Sequence, residues 1–495
     1  MSTTNLSLDQ IQNFEGKYPK QLWYLFLVEM WERFCFYGMR GVLTFFMVDQ
    51  LLLNDAAANL QYGAIQAFVY AFTFIGGIFA DKILGFRKSL FFGGIVMILG
   101  NLLIAFSPID LFYYGMAFSI IGTGFFKPNI SSMVGELYHE SDPRRDAGYG
   151  MFYAGINIGG LLGGALCIYL GKFYSWKLCF LAAAIVMILG LLTFLFTKKH
   201  LGPIGDSPLI SLDASKRKVR EVAVYIGSLL CIPFIFIMVK NTDYTDYFMY
   251  SIGIIAMVYF GFEVVKLKQI NLQKKLIAAF LFIFFYLLFN AIFEQSGGSL
   301  SLFAKDNLDD NLLFFKIDPN VVNNSSNSLF VIIFSPLVGL LWLWLAKKKI
   351  EPNTVIKFGI GFLFLGASFY LFYYTRFFAD VNGITSLNLF TFAYLVTTLG
   401  ELCLGPIGMS IITKLSPKKL FGMMMGLWFL ASAFGQFFAG KLGAEMSNAN
   451  NGITLVSKLQ SYTEGYYDLA IYSIIAGVIL IVSAPLIKKL MQEVK

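Results

Sequence analysis

The sequence is poor in charged residues, cysteine and histidine, and each scarcity excludes a class of protein. Charged residues make up 14% of the 495 residues and hydrophobic residues 57%, a balance too apolar for a soluble protein and typical of a chain that crosses a membrane repeatedly. The five cysteines lie in apolar stretches without metal-ligand spacing, so neither disulfides nor a zinc site are expected. The two histidines, His139 and His200, lie in polar loops, so no histidine is expected to titrate inside a membrane span. The chain also has no phosphate-binding loop and no HExxH motif, so an enzyme and a bound cofactor are not expected.

Long apolar runs are what the chain has in abundance. At about 20 residues for each crossing, they predict an all-α polytopic membrane protein with fourteen transmembrane helices. The predicted spans are 22–48, 60–80, 88–106, 111–136, 147–170, 178–197, 219–239, 244–265, 275–303, 327–346, 354–374, 386–413, 420–440 and 467–487. Most Lys and Arg residues between spans fall on the side of the N-terminus, so both termini are expected in the cytoplasm and the protein in the plasma (inner) membrane. This topology also explains the net charge of +8, and no nucleic-acid partner is expected.

The predicted organisation is two halves with a different segment between them. Residues 1–200 and 271–495 hold six spans each, and each set is predicted to form a six-helix bundle. Between them lie a cytoplasmic linker at 201–218, rich in Gly, Pro, Ser, Lys and Arg, and two additional spans at 219–270 whose cores carry no charge. Six plus six helices around a central site is the arrangement of major facilitator transporters. The stretch GGIFADKILGFRK at 76–88 resembles the loop between the second and third spans of that superfamily.

The first predicted span contains four charges, within the stretch EMWERFCFYGMRGV. They are Glu29, Glu32, Arg33 and Arg40. Each charge at the centre of a membrane costs about 2.5–3.5 kcal/mol on insertion scales, and on a helical wheel all four fall within an arc of about 100°. Such a face is expected to line a wet, protein-lined interior rather than lipid. A static ion-pair network that holds helices together is the alternative interpretation.

Single charges in other spans come from both halves of the chain. Lys127 lies in the fourth span, Glu294 in the first helix of the second half, and Glu401 ahead of a Gly/Pro cluster that can bend its helix. Charges of opposite sign inside a membrane suit a zwitterionic ligand with an ammonium at one end and a carboxylate at the other. Because both histidines lie in loops, carboxylates would have to carry any coupled proton. Asn157 is a further candidate, since a polar amide needs partners in a membrane.

Two long motifs carry a resemblance to a known family. EMWERFCFYG matches the pattern ExxERFxYYG and FYAGINIG matches FYxxINxG, both signatures of the proton-dependent oligopeptide transporters (the POT/PTR family) of the major facilitator superfamily. FEQSGGSL and GELCLGPIGMS resemble the family's seventh and tenth transport helices, and the extra helix pair resembles that of bacterial members. The resemblance implies a proton-coupled symporter that imports di- and tripeptides by alternating access. It also implies a functional monomer in the lipid bilayer, with protons as the coupling ion and no cofactor.

The resemblance also implies roles for individual residues. Proton coupling falls to Glu29, Glu32, Arg33 and Glu294. Substrate binding falls to Arg33, Tyr37, Tyr70, Lys127, Asn157, Glu294, Asn327, Glu401 and Trp428, with Glu401 taking the peptide ammonium and Arg33 and Lys127 its carboxylate. Salt bridges that gate the pathway are implied for Arg40 with Glu294 outside and for Lys127 with Glu401 inside.

The chain departs from the family pattern at two positions. Phe36 stands where the first motif usually has a Tyr, and Asn290 stands four residues before Glu294, where a Trp is common. A lost hydroxyl and a lost indole bear on the preference for peptide side chains rather than on the class of substrate. The alternatives that stay open are a family relative that carries another solute, such as nitrate or a peptide-like metabolite, and a receptor that binds without accumulating its ligand.

Overall fold

The structure is a computed structural model that describes residues 6–139, 141–448 and 454–492. The helices up to residue 240 are α1 (Leu8–Gln12), α2 (Lys20–Asp49), α3 (Asp55–Phe79), α4 (Phe86–Phe106), α5 (Phe112–Glu136), α6 (Arg144–Phe173), α7 (Trp176–Thr197), α8 (Ala214–Leu229) and α9 (Ile232–Lys240). The later helices are α10 (Thr242–Lys266), α11 (Ile270–Phe293), α12 (Ser299–Asn307), α13 (Pro319–Lys347), α14 (Thr354–Tyr374), α15 (Leu387–Leu415), α16 (Phe421–Asn448) and α17 (Leu455–Met491). A two-stranded antiparallel hairpin, β1 (Asn311–Leu312) with β2 (Phe315–Lys316), lies between α12 and α13.

Fourteen helical segments of the described residues are long enough to cross a membrane, the number that the apolar runs predicted. Twelve spans in the described residues are long and apolar enough to cross a membrane, α8 with α9 and α11 with α12 each forming one of them. Two further helices are equally long but more polar, α2 because it carries the charges of the first span and α5 because it is rich in Gly, Ser and Thr. The prediction of an all-α, multi-pass membrane protein is therefore confirmed.

Two of the predicted spans are each divided into two helices. Pro233 is the second residue of α9 and has no backbone N–H to donate to the carbonyl of Leu229, the last residue of α8, which explains the break between the two helices. After α11, the segment Glu294–Gly297 forms a turn of 3₁₀-helix, and Gly298 leaves the helical region with φ −105° and ψ −107°. A glycine reaches such backbone angles at little cost. Glu294 therefore lies at a junction between two helices.

Contacts between residues divide the chain into two compact units. The first unit comprises the residues up to Leu43 together with Phe68–Lys240, and the second comprises Thr44–Ala67 together with the residues from Asn241 onward. In the first unit α4 packs against α5 and α7, while in the second α14 packs against α15 and α17 and α11 packs against α16. The division falls within α2, within α3 and between α9 and α10. The predicted domain boundaries at residues 200, 218 and 270 stay a prediction.

Candidate functional site

Three ionisable side chains of α2 are buried together in the first unit. Glu29, Glu32 and Arg33 are each at most 1% exposed. Arg33 Nε lies 3.2 Å from Glu29 Oε1 and donates a hydrogen bond to Glu32 Oε2. Glu29 Oε2, Glu32 Oε1 and Arg33 Nη2 are buried and have no hydrogen-bond partner among the described residues. Three of the four charges of the first span thus form one contiguous ionic cluster, which contains two carboxylates and one guanidinium.

The backbone of α2 comes very close to α6 beside this cluster. A Cβ atom at Gly159 would lie 2.3 Å from the backbone oxygen of Met30 and 2.9 Å from Arg33 Cβ. One turn later, a Cβ atom at Gly163 would lie 2.2 Å from the backbone oxygen of Phe34. The lack of a side chain at Gly159 and Gly163 therefore lets the two helices meet through backbone contact, and this contact sets the position of Arg33.

Aromatic rings lie beside the cations of the first unit. Three of these contacts involve predicted site residues: Arg33 Cζ lies 5.0 Å from the ring centroid of Phe36, Arg40 Cζ 5.7 Å from that of Tyr37, and Lys127 Nζ 4.7 Å from that of Tyr70. A ring face attracts a cation through its quadrupole and needs no hydroxyl to do so. Phe36 therefore keeps the ring contact with Arg33 that the more usual Tyr could also make.

Asn157 is buried on α6 and uses its own helix as a partner. Its side chain is 6% exposed, and its Nδ2 donates a hydrogen bond of 2.9 Å to the backbone oxygen of Tyr153, one turn earlier. This bond satisfies one donor of an amide that has two donor hydrogens and an acceptor oxygen. The amide is thus held in one orientation within the first unit.

In the second unit, Glu401 is held by a side chain from another helix. Asn327 on α13 donates a hydrogen bond of 2.7 Å from its Nδ2 to Glu401 Oε2 on α15, and the same nitrogen lies 3.3 Å from Thr398 Oγ1. Hydrogen bonds to a carboxylate are stronger than those between neutral groups. The carboxylate of Glu401 therefore has a fixed direction, and α15 continues through Gly405 without ending at the Gly/Pro cluster.

A second polar and aromatic group lies along α11 in the same unit. Tyr286 and Asn290 are four residues apart and so lie on one face of α11, and Glu294 follows four residues later in the 3₁₀ turn after the helix. The ring of Trp428 stacks on that of Tyr286, with centroids 3.8 Å apart and planes 14° apart. Asn290 donates a 2.8 Å hydrogen bond to the backbone oxygen of Tyr286, and a Cβ at Gly435 would lie 2.5 Å from Asn290 Cβ. A small side chain at position 290 thus accompanies close packing of α11 on α16.

The structure brings together some of the sequence-predicted site residues. Within the first unit, Glu29 and Glu32 contact Arg33, and Lys127 contacts the ring of Tyr70. Within the second, Asn327 contacts Glu401 and Trp428 stacks on Tyr286. Each predicted gate pair, Arg40 with Glu294 and Lys127 with Glu401, joins a residue of one unit to a residue of the other. Those pairs, and the individual roles, stay predictions.

Two partners in the second unit were missed by the sequence reasoning. Tyr286 gives Trp428 its stacking surface, and Thr398 shares the amide of Asn327 with Glu401. A signal for both was available, because Tyr286 is eight residues before Glu294 and Thr398 three before Glu401, so each lies on the same helix face as a predicted site residue.

A network of ion pairs at helix ends of the second unit was also missed. Lys458 Nζ lies 2.9 Å from Asp55 Oδ2 and 2.6 Å from Asp306 Oδ2. Lys305 Nζ pairs with Asp49 Oδ1. These partners are hundreds of positions apart in the chain, and charges are expected at every helix end. The sequence pattern therefore contains no signal that would have selected them.

Known proteins resemble the chain over nearly its whole length. "Uncharacterized transporter YclF" of Bacillus subtilis (strain 168) is 33% identical over 488 residues, which is 96% of each chain. "Peptide transporter YePEPT" of Yersinia enterocolitica is 34% identical over 457 residues, covering 87% of this chain and 88% of that one. "Dipeptide and tripeptide permease A" of Erwinia pyrifoliae is 28% identical and covers 100% of this chain and 99% of that one.

Solved structures also resemble the fold over nearly the whole chain. A peptide transporter POT in complex with sulfate superimposes with a TM-score of 0.83 at 29% identity, covering 98% of this chain and 100% of that one. A POT family transporter in complex with 5-aminolevulinic acid has a TM-score of 0.84 at 28% identity, covering 97% and 100%. The predicted major facilitator fold is thereby confirmed. The sequence profile of the POT family matches residues 87–459. With about three quarters of its length matched in this way, the chain belongs to the POT family.

Proposed function

We propose that this chain is a proton-coupled symporter that imports di- and tripeptides across the plasma membrane by alternating access. The observation that carries the proposal is the buried cluster of Glu29, Glu32 and Arg33 in α2. Relatives that are named as peptide transporters or as dipeptide and tripeptide permeases support the peptide as the substrate.

The proposed proton coupling rests on the charges of the α2 cluster and of the cation beside it. Two carboxylates and one guanidinium give the α2 cluster a formal charge of −1, and Lys127 acts on both carboxylates as a further cation, so one bound proton would change the sum of these charges from 0 to +1. An uncompensated charge in an apolar interior is very costly, whereas a neutral group is much less so. Binding or release of a single proton therefore changes the electrostatic environment of α2. The two carboxylate oxygens without a hydrogen-bond partner, Glu29 Oε2 and Glu32 Oε1, are the proposed proton acceptors.

The histidines are not needed for this coupling. His139 follows α5 in a loop, and His200 lies in the short 3₁₀-helix Lys198–Leu201 after α7. Glu294, at the junction between α11 and α12, is the second proposed site of proton coupling. Carboxylates of both units are thus the proposed groups that bind and release the coupled proton.

Peptide recognition is proposed to rest on charges of both signs. A peptide has an ammonium at one end and a carboxylate at the other. Glu401, oriented by Asn327, is the proposed partner of the ammonium, and Arg33 and Lys127 are the proposed partners of the carboxylate. The peptide backbone and side chains are proposed to contact Tyr37, Tyr70, Asn157, Asn327 and Trp428. The pairs Arg40 with Glu294 and Lys127 with Glu401 are proposed to open and close the two ends of the pathway.

Uptake of a labelled dipeptide into proteoliposomes tests the proposal. We expect accumulation above the external concentration when the outside is acidic, because inward proton flow drives the peptide with it. An uncoupler that collapses the gradient should reduce uptake to equilibration. Equal uptake with and without the gradient would exclude symport and indicate facilitated diffusion. Binding without uptake would indicate a receptor.

Competition by unlabelled solutes tests the substrate class. Unlabelled di- and tripeptides in excess should suppress the labelled uptake, while nitrate at the same concentration should not. Empty liposomes prepared in parallel provide the background. If nitrate competes and peptides do not, the chain carries another solute and the proposal of peptide import is wrong.

A further inference from the structure

A basic cavity lies in the first unit where α4 begins and α7 has ended. Its volume is about 550 Å³, and the basic residues that line it are Arg87, Lys88, Lys198 and Lys199. Asp206 is the one carboxylate among the described residues that line it. The lining therefore carries a clear excess of positive charge, and the positive end of the α4 dipole lies at the same place.

The charges of this cavity are only partly compensated. Arg87 Nη1 lies 3.3 Å from Asp206 Oδ1, and Lys88 Nζ lies 2.6 Å from Glu221 Oε1 on α8. Lys198 and Lys199 are exposed and form no ion pair with any residue in the described part of the chain. Two cations are thus left for a ligand after the pairs within the protein are counted.

The backbone around the cavity is fixed by hydrogen bonds of the segment 202–207. The amide of Arg87 donates a 3.0 Å hydrogen bond to the backbone oxygen of Gly205, and the guanidinium of Arg87 donates to the backbone oxygen of Gly202. From the other end of the segment, Ser207 Oγ donates a 2.6 Å hydrogen bond to the backbone oxygen of Ile83. The cavity is thus formed by ordered backbone and does not depend on a ligand for its shape.

The same cavity has an apolar side. The rings of Phe92 and Tyr225 contact each other with centroids 4.7 Å apart. Ile95 is 39% exposed and Leu195 36% exposed, and both belong to membrane-spanning helices, so they present an apolar surface to lipid. Charged groups at a helix end and exposed apolar side chains one to two turns into the span match a ligand with an anionic head and a hydrocarbon chain.

We propose that this cavity binds the phosphate-bearing head group of an anionic phospholipid, with Lys198 and Lys199 as the principal partners of the phosphate. Basic pockets between transmembrane helices are where such head groups bind. The lysines supply the charge, and Ile95 and Leu195 supply the surface along which an acyl chain would lie. The residues involved are separate from those proposed for peptide transport, so the two proposals fail or hold independently.

Native mass spectrometry of the full chain in a non-ionic detergent tests this assignment. Short-chain phosphatidylglycerol should bind at least tenfold more tightly than phosphatidylcholine of the same chain length. Replacing both lysines (Lys198→Ala with Lys199→Ala) should weaken phosphatidylglycerol binding about thirtyfold, since each basic residue near an anionic lipid contributes roughly a factor of five. Lys198→Arg with Lys199→Arg keeps the charge and should bind as the parent does.

Two further variants separate a specific site from general loss of charge or fold. Lys347→Ala with Lys348→Ala removes an exposed lysine pair at the end of α13 and should leave binding within twofold of the parent. Glu221→Gln removes the carboxylate that pairs with Lys88 and should tighten binding about fivefold, a gain that misfolding cannot produce. Equal binding of the two lipids, or parent-like binding after loss of Lys198 and Lys199, would overturn the proposal. So would displacement of the lipid by inorganic phosphate at an equal concentration, since the site would then recognise the phosphate alone.

Discussion

At the scale of single residues, Glu401 is the carboxylate whose role the structure makes easiest to test. We predict that Glu401→Gln weakens binding of free dipeptides more than a hundredfold, because a buried ammonium left without its anion costs about 3–5 kcal/mol. N-acetylated dipeptides lack the ammonium, and their weak binding should hardly change. Binding measured by isothermal calorimetry on both ligands checks the prediction.

Measuring both ligands identifies a misfolded variant, because such a variant would lose its affinity for the free and for the acetylated dipeptide. Asn327→Ala is the matched change at the partner residue, since it removes the 2.7 Å hydrogen bond and keeps the charge of Glu401. Its effect should be smaller, about tenfold, as expected for one hydrogen bond to a charged group. If Glu401→Gln still prefers free over acetylated peptides by the parent's margin, the ammonium is bound elsewhere.

Arg33 allows a second prediction, on stability. Arg33→Leu would leave Glu29 and Glu32 buried without the guanidinium that contacts both of them, and we expect the free energy of unfolding to fall by about 3–5 kcal/mol. Adding Glu29→Gln and Glu32→Gln to that variant removes the stranded charges, so thermal stability in detergent should largely return while proton-driven uptake stays lost. A single Arg33→Leu variant as stable as the parent would mean that the cluster does not depend on its guanidinium.

At the scale of helices, the contact of α2 with α6 depends on the absence of a side chain. A methyl group at Gly159 would lie 2.3 Å from the backbone oxygen of Met30, whereas one at Gly150 on the same helix would have nothing within 4 Å. We predict that Gly159→Ala lowers the free energy of unfolding by roughly 1–3 kcal/mol through overpacking. Gly150→Ala, the matched control, should raise it by roughly 0.5–1 kcal/mol through helix propensity. Thermal unfolding of both variants in the same detergent is the measurement, and equal effects would show that the two helices can move apart freely.

The sequence predicted the spans well because hydropathy shows which residues lie in the bilayer. It predicted helix ends poorly because a helix can continue beyond the bilayer through polar residues. The last helix was predicted over 467–487 and extends over Leu455–Met491, since the polar stretch SYTEGYYD is helical without being apolar. The break after α11 was missed although Gly297 and Gly298 lie three and four positions after Glu294, because the apolar run continues on both sides. Pairing across the chain, as between Lys458 and Asp55, leaves no trace in a local pattern.

The same limit applies to the candidate site. The sequence selected Glu29, Glu32 and Arg33 because charges in a membrane are rare, and that argument needs no structure. It could not select Tyr286, because a tyrosine in an apolar helix is ordinary until a tryptophan from α16 is seen to stack on it. Rare residues are therefore found from sequence, and their common partners are found from structure.

At the scale of the whole molecule, α2 and α3 each contribute residues to both compact units. If the end of α2 leaves α12 during an alternating-access cycle, the ion pair between Asp49 and Lys305 breaks in every cycle. We predict that Asp49→Cys with Lys305→Cys, joined by a short bifunctional thiol reagent, stops dipeptide uptake and that a reductant which cleaves the bridge restores it. The single-cysteine variants treated in the same way should transport normally. Continued uptake by the bridged protein would show that these helix ends stay together throughout transport.

Helix α2 runs without interruption from the ionic cluster to Thr44, so a tilt of the helix at the cluster would displace Thr44. Thr44 donates a hydrogen bond to the backbone oxygen of Gly297, three residues beyond Glu294. Eleven residues separate Arg33 from Thr44, about 16 Å along the axis, so a tilt of about 5° pivoting at the cluster would displace Thr44 by roughly 1.4 Å. A hydrogen bond lengthened by that amount is lost. A tilt of α2 by about 5° would therefore be enough to break the hydrogen bond of Thr44 to Gly297, three residues from Glu294.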